Sequence, residues 1–328
     1  TAAQNTIGAG SDTISAFENL IGSGFGDTLT GSTAANVISG LGGDDLINGG
    51  AGADTMVGGT GNDIYVVDNT GDIVDETGGD GTDLVRSSIA FNLSDAVHVI
   101  GSVENLTLTG TGNLAGTGNA LANVITGNTG NNTLAGLGGA DALIGDAGTD
   151  TASYAASAAG VNVSLTTGVA HGGDAEGDTF SSIEGLLGSA QNDTLEGDGG
   201  NNVLNGGAGI DTLSYEHAAA AITVSLATTA AQNTIGAGSD TISAFENLIG
   251  SDFGDTLTGS TAANVISGLG GDDLINGGAG ADTMVGGTHL RFREPDRIGL
   301  WRHADGKHGS ERHFRPGRRR PHQWRCWR

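Results

Sequence analysis

Residues 40–66 read GLGGDDLIN, GGAGADTMV and GGTGNDIYV, three consecutive nine-residue units of the form G-G-x-G-x-D-x-h-x in which h is apolar. Glycines at unit positions 1, 2 and 4 permit positive φ and close approach of neighbouring chains, so the first six residues predict a turn. The remaining three predict a strand too short to stand alone. Side chains alternate along a strand, so position 8 points to one face and positions 7 and 9 to the other. Two units then make one coil of turn, strand, turn and strand, and coils stack at about 4.8 Å with position 8 inside. Stacking places the position-6 aspartates of units i and i+2 on one edge, beside the carbonyls of the glycine turns. Such an all-oxygen site suits a hard divalent cation, and its looseness favours calcium over magnesium.

The unit recurs in four arrays. Residues 22–66 hold Asp27, Asn36, Asp45, Asp54 and Asp63 at position 6, with Leu29, Ile38, Ile47, Met56 and Tyr65 pointing inward. Residues 118–153 hold Asn123, Asn132, Asp141 and Asp150, and residues 188–214 hold Asp193, Asn202 and Asp211. Residues 250–288 hold Asp255, Asn264, Asp273 and Asp282. On these nonamers the chain resembles the RTX, or haemolysin-type calcium-binding, repeat family. The resemblance implies an all-β fold of parallel β-roll arrays joined by irregular β-segments, several bound calcium ions, and export by a type I secretion machinery.

An isolated turn has no reason to recur every nine residues in register, so the aspartates are read as metal ligands and not as simple turn caps. The pairs Asp27/Asp45, Asp45/Asp63, Asp193/Asp211 and Asp255/Asp273 carry two carboxylates. Pairs containing Asn36, Asn123, Asn132 or Asn264 lack one charge and predict weaker sites at Asp54, Asp141, Asp150 and Asp282. Asn202 has no partner two units away within its array. Asp45 faces carboxylates on both sides, whereas Asp54 is expected to pair only with Asn36. Glu18, Glu104, Glu184 and Glu246 precede the arrays and are expected to be solvated strand residues that start the roll. Tyr65, Tyr154 and Tyr215, which close three arrays, are expected in the core.

The arrays are separated by residues 67–117, 154–187 and 215–249, which read as short strands with turn signals, and residues 1–21 read as a partial lead-in. Residues 229–288 duplicate residues 1–60 with one difference, Gly24 against Asp252. The second copy breaks off inside a nonamer after Thr288. The segment 289–328 that follows carries 12 bases and 4 acids, no nine-residue period, every proline and tryptophan and the single cysteine, Cys326. It reads as out-of-frame or disordered sequence; as a basic arm it would be the chain's nucleic-acid binder.

Composition sharpens the split. Residues 1–288 carry 34 acidic side chains and one base, Arg86. With 61 glycines in 328 residues and no collagen-like period, the chain excludes an ordinary globular core. A disulfide-free body with so little core needs another staple, and bound metal supplies one. No apolar run approaches the roughly 20 residues that span a bilayer, and the chain opens inside a repeat unit, as a fragment would. No H-E-x-x-H, no G-x-S-x-G and no nucleophilic cysteine outside the tail point to catalysis. Two functions remain open: a calcium-binding region of a secreted or surface protein, adhesin-like or structural, or the carrier of a type I-secreted hydrolase or toxin whose catalytic domain lies upstream.

Overall fold

In the computed structural model, residues 17–286 are described throughout, with the backbone of short strands at Gln4–Thr6, Gly10–Asp12, Arg291–Phe292 and Leu300–Arg302. The rest of the basic tail, and with it the expectation about its folding, lies outside the described residues. The described residues contain short strands, mostly of three residues, and one 3-10 turn at Gly173–Ala175.

Within the arrays each strand pairs in parallel with the strand two units away, so the nine-residue period becomes an eighteen-residue register. Leu29 lies opposite Ile47, Ile47 opposite Tyr65, and Tyr65 opposite Val85. The same line continues through Leu106, Ile125, Leu143 and Phe180. These are the position-8 side chains, and all but Phe180 are buried. Positions 7 and 9 are less buried, as strand alternation requires. A facing line runs through Leu134, Ala152, Leu186, Leu204 and Ile242, and a third through Val163, Leu195, Leu213, Leu248 and Ile266. The core is therefore a file of single apolar side chains, about one per strand.

The segments between arrays supply rungs of the same ladders. Leu84–Ser87 and Asn105–Leu108 stand between Ile64–Val67 and Val124–Thr126 in one eight-stranded sheet. Asn162–Ser164 stacks on Thr194–Glu196, and Thr223–Ser225 on Thr256–Thr258. The hydrogen-bonded stack thus passes from one array to the next without interruption.

Glycine has two separate roles in the turns. At position 1 it has no left-handed backbone, but a Cβ on Gly40, Gly49, Gly136 or Gly268 would collide with the position-6 carboxylate of its own turn. At position 4 the backbone is left-handed at Gly43, Gly52, Gly139 and Gly209, though not at Gly130 or Gly200. Where an array ends, position 1 carries a side chain that fills the turn: Val67, Tyr154 and Tyr215, all buried, as is Leu108 in the connecting segment.

Candidate metal centres in the turns

The position-6 side chains form hydrogen-bonded columns along the edges of the roll. One carboxylate oxygen of each accepts the backbone N–H of the position-6 residue one coil earlier. Asp27 donates to Asp45 at 2.7 Å, Asp45 to Asp63 at 2.8 Å, and Asp63 to Asp83 at 2.8 Å. Asn36 donates to Asp54, Asn123 to Asp141, Asn132 to Asp150, Asp193 to Asp211, Asp255 to Asp273 and Asn264 to Asp282 in the same way. Within the arrays these columns run at a spacing of eighteen residues, and Asp63 to Asp83 spans twenty.

The second oxygen divides the turns into two kinds. In closed turns the residue at position 2 donates its N–H to the position-6 side chain: Ser23 to Asp27, Ser32 to Asn36, Asn119 to Asn123 and Asn128 to Asn132. Ser189 to Asp193, Asp198 to Asn202, Ser251 to Asp255 and Ser260 to Asn264 do the same. In open turns position 2 is left-handed: Leu41, Gly50, Gly59, Leu137, Asp146 and Gly207, with Leu269 and Gly278 in the fourth array. There the position-2 N–H turns elsewhere; Gly50, Gly207 and Gly278 give theirs to the side chains of Asn48, Asn205 and Asn276. The second oxygen of Asp45, Asp54, Asp63, Asp141, Asp150 and Asp211 is consequently buried with no protein partner. Asp273 and Asp282 occupy turns of the open backbone, Asp282 half-buried.

Every position-6 asparagine, Asn36, Asn123, Asn132, Asn202 and Asn264, sits in a closed turn, and every open turn carries aspartate. A closed turn needs only an acceptor, which an amide oxygen supplies. An open turn holds a desolvated carboxylate oxygen, which is costly without a cation. Across residues 17–286 the one Lys or Arg side chain is Arg86, and it is exposed. Burial pushes the carboxyls of Asp45 and Asp141 up to about 6, opposed by the backbone N–H each accepts and reinforced by neighbouring carboxylates. Asp54, Asp63, Asp150 and Asp211 are raised for the same first cause.

These columns hold residues that the sequence reading passed over. Asp54 donates its N–H to Asp72, so the column of Asn36 and Asp54 continues into a third carboxylate. Asp72 follows Asp63 by one nonamer step, which is the signal that could have found it. Asp141 donates to Asp178 and Asn202 to Asp240; both acids begin an Asp-Thr strand entry like that of Asp54 and Asp150. Their second oxygens accept the hydroxyls of Tyr154 and Tyr215 at 2.9 Å, so a tyrosine stands where an open turn leaves an oxygen bare.

The glutamates also differ from expectation. Glu104, Glu184 and Glu246 are half-buried and accept the N–H groups of Asp83, Asp150 and Asp211, each at 2.8 Å. They are position-6 residues with a longer arm, and Glu184 and Glu246 stand nine residues before Asp193 and Asp255. Glu18, nine residues before Asp27, is exposed as expected. His98, His171 and His217 each pair with a carboxylate, Asp95, Glu176 and Glu196 respectively, and do not converge.

The stacked coils and carboxylate-lined turns define a parallel β-roll of calcium-binding repeats. The profile of the RTX calcium-binding nonapeptide repeat (4 copies) matches residues 21–56, 30–65, 117–152, 186–213 and 249–284, and those stretches of the chain are RTX repeats. No curated protein matches it. The donor set fits the cation this family implies. Buried carboxylate oxygens lack partners, and position-1 glycines leave a space, next to the carbonyl of Gly58 at Gly40, that any Cβ would fill.

Proposed function

We propose that the chain is a calcium-dependent folding module of a secreted or surface protein, and that its calcium ions occupy the open turns. The ligands on this reading are Asp45, Asp54, Asp63, Asp141, Asp150, Asp211, Asp273 and Asp282, with turn carbonyls completing each shell. The closed turns of Asp27, Asp193 and Asp255, and those of Asn36, Asn123, Asn132 and Asn264, act as hydrogen-bonded spacers. The observation that carries this reading is the coincidence of a bare buried carboxylate oxygen with a left-handed position 2 in six turns.

Bound calcium supplies positive charge to a body that carries 34 acids and one base, and it ties successive coils together. Without it, one apolar side chain per strand does not offset the ordering of a glycine-rich chain. Binding free energy therefore becomes folding free energy. Extracellular modules hold calcium at about 10⁻⁴ to 10⁻³ M, well above cytosolic concentrations, so such a chain folds after export. A structural or adhesin-like role follows from a continuous stack, and no helix among the described residues is long and apolar enough to cross a membrane. The test is calcium titration of the full chain followed by far-UV circular dichroism, with magnesium as control. A sigmoidal gain of β-signal with calcium, and little with magnesium, is expected; an unchanged spectrum with no calcium uptake in equilibrium dialysis refutes the proposal.

A further inference from the structure

Glu76 stands at position 1 of a coil, opposite Gly58, because Val57 pairs with Asp75 in the register of Thr55–Thr60 on Ile73–Asp75. Elsewhere position 1 is glycine within an array, or carries an uncharged side chain such as Val67, Ser87, Leu108, Tyr154 or Tyr215. Glu76 is the charged exception, and its carboxylate enters the turn. The next position-6 residue, Asp83, follows Asp63 by twenty residues and not eighteen, and the two extra residues give the carboxylate room.

Asp63, Glu76 and Asp83 bring carboxylate oxygens within 4.8 Å of one another, and all three side chains are buried. Oδ2 of Asp63 and Oε2 of Glu76 have no protein partner, although the two residues are 0% and 5% exposed. Oδ2 of Asp63 faces the same space over Gly58 as Oε1 of Glu76. A Cβ on Gly58 would meet Asp63 Oδ2, Glu76 Oε1 and the Tyr65 hydroxyl, and a Cβ on Gly79 would meet Glu76 Oε2 and the carbonyl of Gly59. Tyr65 donates its hydroxyl to Glu76 Oε1. A cavity of about 470 Å³, lined by Glu76, Gly79, Asp80, Asp83 and Glu104, opens over the cluster and gives an ion a path from solvent.

Resting on the calcium reading above, we propose that Glu76 is a metal ligand, and that Asp63, Glu76 and Asp83 together hold one calcium ion at the junction of the first array with residues 67–117. The donor set differs from that of the open turns. Three carboxylates converge here, one of them outside the nonapeptide pattern, and the Tyr65 hydroxyl fixes Glu76 from inside the core. A third formal negative charge makes this the tightest site of the first array, since ligand charge count tunes calcium affinity over decades. The ion also ties a connecting segment to the array, so ordering of residues 67–83 is coupled to its occupancy.

Terbium reports the site, because a lanthanide close to a tyrosine emits when that ring is excited. The full chain is titrated with terbium, and the same titration of Tyr65→Phe is subtracted to isolate the Tyr65-dependent emission. Glu76→Gln is expected to raise the midpoint of that component at least tenfold. Asp80→Asn, which removes the same charge from the exposed wall of the same cavity, is expected to shift it much less. Should Glu76→Gln fail to regain the circular dichroism of the parent chain in calcium, Glu76→Asp, which keeps the charge and withdraws it by one methylene, takes its place with the same expected direction. Loss of no emission in Tyr65→Phe, or equal shifts in the Glu76 and Asp80 variants, overturns this site while leaving the open-turn reading intact. Absence of any calcium uptake by the full chain overturns both.

Discussion

Asp141 tests the open turn most directly, because its two oxygens have different duties. Oδ1 accepts the N–H of Asn123 at 2.7 Å, and Oδ2 is buried and bare. Asp141→Asn keeps the shape and the Oδ1 acceptor while removing the charge. In the metal-free chain that charge is a liability. Burial raises the carboxyl from 3.8 to about 6, so ionising it at pH 7.4 costs up to about 3 kcal/mol at 1.36 kcal/mol per unit, less whatever solvent screening the edge of the roll admits. In the calcium-bound chain the same charge is a ligand. The substitution is therefore expected to act with opposite signs: more β-signal in EDTA, and a higher calcium concentration at the midpoint of the remaining transition. The sign of the pH dependence follows from linkage. A carboxyl raised on folding contributes stability that is present below its unfolded value near 4 and is lost as pH rises through about 6. The gain from Asp141→Asn in EDTA should thus vanish below about pH 3 and be complete by pH 7.4. Asn123→Asp, one coil away on the same edge, is the control. The Asn123 amide oxygen already accepts the N–H of Asn119 and its amide nitrogen donates to the carbonyl of Glu104, so a new carboxylate there should add no calcium site. Urea and calcium titrations by circular dichroism decide the matter. Equal destabilisation by Asp141→Asn with and without calcium would show that the carboxylate is an ordinary hydrogen-bonding group, and the distinction between turns would fall.

Other outcomes are open to measurement. Protons compete with calcium at carboxyls raised to about 6, Asp45, Asp83 and Asp141, and at Glu76, which burial pushes up to about 8, so the calcium midpoint should rise between pH 7.5 and pH 5; a midpoint independent of pH would mean that these groups do not bind it. Gly136→Ala places a Cβ against Asp141 Oδ2, whereas Gly138→Ala, two residues away, meets open space. The first should cost roughly 1–3 kcal/mol as overpacking does and the second little, checked by urea melts in calcium. Any affinity for DNA should reside in residues 289–328, with their 12 bases, and disappear when the chain is ended at Thr288, as read by fluorescence anisotropy at low salt.

Much of the architecture was legible because one short period fixes it. A nine-residue unit with an apolar position 8 dictates parallel pairing at eighteen residues, and Leu29, Ile47 and Tyr65 stand in that line. The same period gives the columns of position-6 acids. The phase of Asp72, Glu184 and Glu246 was also present in the chain, hidden because the residues before them do not follow the G-G-x-G pattern. The kind of each turn was another matter. Leu41, Leu137 and Leu269 do not announce a left-handed backbone, since leucine disfavours it and only the stacked neighbours impose it. Nor could the sequence say that Glu76 meets Asp63 and Asp83, because that contact depends on register across a coil. The duplicated segment isolates the point. Phe17 and Phe245 lie in identical local sequence, yet Phe17 is 65% exposed and Phe245 is 7% exposed. Glu246 receives the N–H of Asp211, while Glu18 stands in solvent. Local sequence determined the coil and its repeat; the burial of Phe245 and the hydrogen bond to Glu246 were decided by stacking on the coil of Asp211, because a single coil cannot cover its own face.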